Sequence, residues 1–154
     1  MTEVLFYHLT RSPVEVTLME LLEKTRARGW KAVVLCRSDE RARWLDQKLW
    51  LGEDTGFAAH GVAGGPHDAG QPVLLTTGPG AANNAEIMLA LDGAEIDVDG
   101  FSAFERVCVL FEGHVESALE CARAQWKQVT AAGLPAHYWA QDDGRWVEKA
   151  SANT

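Results

Sequence analysis

Three short runs, residues 31–36 (KAVVLC), 72–77 (PVLLTT) and 106–111 (RVCVLF), place apolar and often β-branched side chains on consecutive positions instead of alternating them. A strand with water on one face alternates, whereas a strand that is apolar at successive positions is covered on both faces, the condition of a strand inside a parallel sheet. Runs of this kind therefore require helices above and below them. The intervening segments supply the helices. Val14, Leu18, Leu21, Leu22 and Thr25 recur at helical spacing until Arg28-Gly29, a cation followed by a glycine stop. Ser12-Pro13-Val14-Glu15 reads as the start, with Ser12 as cap, Pro13 at the first helical position and Glu15 reaching back.

A second helix is expected after Ser38, with Asp39 and Glu40 in its first turn and Ala42, Leu45 and Leu49 facing inward. A third carries Val115, Ala118, Leu119, Ala122, Trp126 and Val129 as its apolar stripe and stops at Gly133. Residues 4–9 and 85–91 read as further strands. Residues 52–70, rich in Gly, His, Pro and Asp, read as loop, and residues 137–146 as an edge strand or hairpin turning at Asp142-Asp143-Gly144. Strands alternating with helices define an α/β domain with a mostly parallel sheet. At 154 residues, this is one domain, expected over residues 1–150, with 151–154 as a disordered tail.

Several function classes fit poorly. The turn after the first strand is Thr10-Arg11-Ser12-Pro13, with no glycine to let a pyrophosphate approach, and no phosphate-binding loop of the G-x-x-x-x-G-K-[ST] type occurs. Gly78-Pro79-Gly80 follows a strand but leads toward another strand. Cys36, Cys108 and Cys121 are too scattered for zinc or a disulfide framework, and two of them sit in apolar runs. The histidines His8, His60, His67, His114 and His137 fall in no nucleophile or metal motif, so no catalytic residue, metal or cofactor is expected. A formal net charge of −8 disfavours direct contact with nucleic acid. No run approaches the length of a membrane span and no leader is read at the N-terminus, which makes the cytoplasm the expected location.

Two constellations remain. On a helical wheel, Trp126 lies about 20° from Val115, Arg123 about 80° and Lys127 about 120°, so an indole on the rim of the buried stripe has two cations beside it. Cations at this spacing repel by roughly 0.2–0.5 kcal/mol, and an apolar wall beside them suits a ligand both hydrophobic and anionic, such as a peptide ending in an aromatic residue and its carboxylate. The same residues also fit a purely structural arrangement, with Trp126 in the core and Glu120 paired to Arg123. The second constellation is Trp50, beyond the last core position of its helix, and Phe57 in a polar loop. Both suit a partner-binding patch or simple folding back onto the core.

Ordered motifs along nearly the whole chain resemble one family. Phe6-Tyr7-His8-Leu9, the KAVVLC strand followed by Asp39-Glu40, Leu45-Asp46-x-x-Leu49-Trp50, Phe57-x-x-His60, residues 72–76, Asn83-Asn84, and Glu105-Arg106-Val107 leading to Arg123-x-x-Trp126-Lys127 resemble the chi subunit of bacterial DNA polymerase III. The resemblance implies a Rossmann-like, three-layer, non-catalytic subunit of the clamp-loader assembly. It implies capture of the acidic, phenylalanine-ended tail of single-stranded-DNA-binding protein by Arg123, Trp126 and Lys127, a position where the family often has Tyr in place of Trp126. It also implies contact with the psi subunit through Trp50 and Phe57. A small nucleotide-dependent enzyme on the same sheet and a direct DNA-binding module are the competing classes.

Overall fold

The structure is a computed structural model that describes residues 2–10, 13–51, 60–62, 73–77, 85–94, 96–142 and 145–153; side chains at 48–51 and 60–62 are not described. The elements run β1 (Glu3–Leu9), α1 (Val14–Ala27), β2 (Ala32–Leu35), α2 (Asp39–Leu51), β3 (His60–Val62), β4 (Val73–Thr76), β5 (Ile87–Leu91), a 3-10 helix (Val98–Ala103), β6 (Arg106–Glu112), α3 (Glu116–Ala131), β7 (Ala136–Asp142) and β8 (Arg145–Ala152). Among the described residues, eight strands form one sheet in the order β3-β4-β2-β5-β6-β1-β7-β8. Every pairing is parallel except that of the β7–β8 hairpin.

The consecutive apolar positions do what two-sided burial requires. All four residues of β2 and all five of β5 are buried. One face carries Leu5, Val34, Leu75, Leu89 and Leu110 against Val14, Leu18 and Leu22 of α1 and Leu45 of α2. The other carries Val4, Phe6, Val33, Val109 and Phe111 against Phe101 and Phe104 and against Ala118, Ala122 and Val129 of α3. Phe6, Phe101 and Phe111 are fully buried, each contributing about 1.5–3 kcal/mol by removal from water. Three layers result, helix, sheet and helix, and no described helix is long and apolar enough to cross a membrane.

Local signals set the helix ends. Ser38 accepts the backbone N–H of Arg41 at 3.2 Å and starts α2. Gly29 and Gly133 adopt φ of +75° and +80° just beyond α1 and α3, a conformation that a side chain would strain. The start of α1 differs from expectation: Pro13 is the cap itself, not the first helical residue, and no side chain caps this end. Ser12 lies outside the described residues, as does the side chain of Leu49.

Other differences have physical causes. Residues 52–70, read as loop, contain β3, which pairs in parallel with β4 from His60↔Val73 to Val62↔Leu75. A His-Gly-Val triplet has little strand signal of its own, and the ladder with β4 supplies it. Val115, expected in the buried stripe of α3, is instead its N-cap and 40% exposed, while Gln125 is buried. The Gln125 amide donates to the carbonyl of Ala94 at 2.9 Å, which lets a polar residue occupy the core side of the helix. Within the stretch expected as a disordered tail, residues 151–153 are not free, and Thr154 lies outside the described residues. Strand β8 continues through Ala152, paired to Ala136, and the Asn153 amide donates to the carbonyls of Thr130 and Leu134 at 3.1 Å each, tying the end of β8 to the last turn of α3 and the segment after it.

Candidate functional site

Helix α3 presents one face to the sheet through small residues, Ala118 and Ala122, which bring its backbone close. Trp126, one turn beyond Ala122, is too large for that seam and lies half-buried at its edge over β1 and β7. Its indole meets Phe6 edge-on, with centroids 5.3 Å apart at 74°, and Tyr138 edge-on at 5.8 Å and 86°. Phe6 and Tyr138 are register partners on neighbouring strands, stacked at 6.2 Å and 13°. Such ring pairs contribute about 0.5–1.5 kcal/mol each beyond burial, so the wall is stiff before any ligand arrives.

Beside this wall runs a groove of about 360 Å³ lined by Arg123, Trp126, Lys127, Tyr138 and Ala150. Ala150 stands opposite Tyr138 in the β7–β8 ladder, next to a register shift, and its methyl group leaves the groove open. Arg123 and Lys127 are exposed. Among the described residues neither has a carboxylate within ion-pair distance, Glu120 included. The structural alternative for this helix therefore holds for Trp126 only in part and for Arg123 not at all.

His8 stands beside Tyr138. Its Nδ1 lies 3.0 Å from the Tyr138 hydroxyl, and its ring packs against Phe111 at 5.1 Å. Burial, reinforced by the charge of Arg123, lowers the His8 pKa, while burial raises that of Tyr138. Both rings are therefore neutral at pH 7 and exchange a hydrogen bond. Because the folded state holds His8 below its ordinary value of about 6.5, the unfolded chain binds more protons in that window. The contribution of His8 to stability is then complete above pH 6.5 and is lost as the pH falls toward the lowered value. The Arg123→Ala variant should move the His8 pKa up, and NMR titration of the imidazole reads this directly.

Arg123, Trp126 and Lys127 are thus brought together as expected from their spacing. Tyr138 and Ala150 complete the groove, and His8 supports Tyr138 through its hydroxyl. An aromatic hairpin was legible around Tyr138, but its place beside β1 follows from pairing between residues more than 130 apart. Trp50 falls in the last turn of α2 with its side chain undescribed, and Phe57 lies outside the described residues, so the second constellation is not positioned here. The buried Cys36 and Cys108 thiols are pushed up to about 12, chiefly by desolvation, and behave as small apolar side chains.

Fold and groove together define a Rossmann-like α/β protein whose candidate site is an open basic and aromatic groove beside a helix. The chain belongs to the DNA polymerase III chi subunit (HolC) family, whose model matches residues 1–137. It is also 25% identical over 96 residues to a probable DNA polymerase III subunit chi of Rickettsia prowazekii (strain Madrid E). That alignment covers 62% of this chain and spans 58% of the relative's length.

Proposed function

We propose that this chain is a non-catalytic accessory subunit of DNA polymerase III, which holds the acidic C-terminal tail of single-stranded-DNA-binding protein in the Arg123–Trp126–Lys127 groove. The observation that carries this reading is the pairing of a preformed aromatic wall with two cations that lack partners among the described residues. A terminal phenylalanine ring would lie against Trp126 and Tyr138, and Arg123 and Lys127 would take its carboxylate and the neighbouring aspartates. Micromolar affinity is expected, since a flexible tail loses freedom on binding. Several tails on one partner would raise the effective concentration and still permit rapid exchange.

Bridging to the clamp loader through a psi subunit, by way of Trp50 and Phe57, is the second half of the proposal and rests on the family resemblance. Co-purification of the clamp loader with this chain tests it, with Trp50→Ala and Phe57→Ala expected to release the complex while leaving tail binding intact.

For the tail itself, Arg123→Ala and Lys127→Ala should each weaken a labelled acidic peptide roughly two- to fivefold, the range for exposed charge contacts of about 0.5–1 kcal/mol. Each should also flatten the salt dependence of binding. Fluorescence anisotropy measures both quantities, and unchanged affinity in the two variants would reject the site.

A further inference from the structure

On the face of the sheet opposite the Arg123 groove, a cleft of about 460 Å³ opens between the last turn of α1 and the first residues of β5 and β6. Its floor is apolar, formed by Ile87 and the buried Cys108, with Trp30 as one wall. Three cations stand around it: Lys24 and Arg28 from α1, and Arg106 from β6. The Arg28 guanidinium lies 5.0 Å from the centre of the Trp30 ring, and that of Arg106 lies 5.9 Å away. Arg106 has a carboxylate at 3.7 Å, that of Glu3. Among the described residues, Lys24 and Arg28 have none.

The C-terminal end of a helix favours cations through its dipole, which accounts for Lys24 and Arg28 taken alone. It accounts neither for Arg106, which arrives from a strand, nor for the open volume over Cys108. In a chain of net charge −8, two uncompensated positive charges and a third held by one long ion pair at the mouth of an apolar hollow are an unusual concentration.

We propose that this cleft binds a phosphate monoester carried on a ring-sized apolar group. A phosphate monoester has a charge of about −1.5 to −2 at neutral pH, which matches the two cations left without a carboxylate. A guanidinium presents paired donors to phosphate oxygens, and Arg28 and Arg106 are both oriented by the face of Trp30. The apolar group fills the space above Ile87 and Cys108. Tyr7 lines the same cleft and is kept protonated by burial, so its hydroxyl is a donor and not a competing anion. The cleft lies toward the amino ends of β5 and β6, whereas ligands of open α/β sheets usually sit beyond the carboxyl ends. It shares no residue with the Arg123 groove, so either site stands if the other fails.

The test is an NMR titration of the whole chain with phenyl phosphate, with inorganic phosphate and phenol as the two halves of that molecule. Saturable shifts of the Trp30 indole N–H and the Thr25 and Cys108 amides are expected, with phenyl phosphate at least about tenfold tighter than either half. Lys24→Ala and Arg28→Ala should each weaken it about three- to tenfold with the rest of the spectrum unchanged. Equal affinity for inorganic phosphate, unchanged affinity in both variants, or shifts confined to the residues around Trp126 would each overturn the proposal.

Discussion

Replacing Trp126 by alanine is expected to weaken binding of an acidic, phenylalanine-ended peptide by about ten- to thirtyfold, more than removal of either neighbouring cation. The estimate follows from losing roughly 1.5–2 kcal/mol of ring contact with the ligand. The indole also packs edge-on against Phe6 and Tyr138, so the same substitution should destabilise the fold by about 2 kcal/mol, less than a fully buried tryptophan would cost. For a domain of this size that corresponds to a fall in melting temperature of about 4–8 °C. Anisotropy at a temperature well below the melt separates the two effects. A lowered melt with unchanged peptide affinity would assign Trp126 to the core alone and end the groove reading. The Trp126→Tyr variant, which keeps an aromatic ring at the wall, should keep most of both.

The second large effect is expected at Gly113, outside the groove and without a strained backbone. A Cβ built there would land inside the imidazole of His8. Gly113 extends the β1–β6 pairing, its N–H donating to the Leu9 carbonyl at 2.8 Å, and His8 lies over it after contacting Phe111 two residues earlier. Gly113→Ala must displace the imidazole and so disturb its hydrogen bond with the Tyr138 hydroxyl. A loss of about 1–3 kcal/mol is expected, in the range of overpacked sites. Tail affinity should also fall, because Tyr138 loses the bond that orients it. His8→Ala empties the space the new methyl needs, so the double variant should be more stable than the sum of the single losses by at least about 1 kcal/mol. Thermal melts of the four proteins measure this coupling, and simple additivity would show that His8 and Gly113 do not compete for one volume.

Much of the scaffold was legible because its signals are local. Consecutive burial in residues 31–36 and 106–111 announced strands covered on two sides, and Arg28-Gly29 and Gly133 announced helix ends, since a positive φ is a property of one residue. The miss at His60–Val62 has the converse cause: that strand exists through its partner β4, and no feature of His-Gly-Val would announce it. Gln125 gives no sign of its burial, because a polar side chain marks a solvated face unless a carbonyl waits inside, and Ala94, 31 residues away, provides it. Residues 151–153 hold no large apolar side chain that would announce a strand. Their order comes from backbone pairing with β7 and from Asn153 closing the end of α3.

The sequence alone determined the α/β class, the covered sheet and the alignment of Arg123, Trp126 and Lys127 along one side of a helix, because each depends on periodicity within a single element. Tertiary structure alone decided that Tyr138 and Phe6 meet that helix, that His8 stands behind Tyr138 and that Ala150 leaves the groove open. It also gathered Lys24, Arg28 and Arg106 around Trp30 on the far side of the sheet. Those contacts join residues from separate elements, and the order in which strands pair, which sets them side by side, is a property of the assembled sheet and not of any one segment.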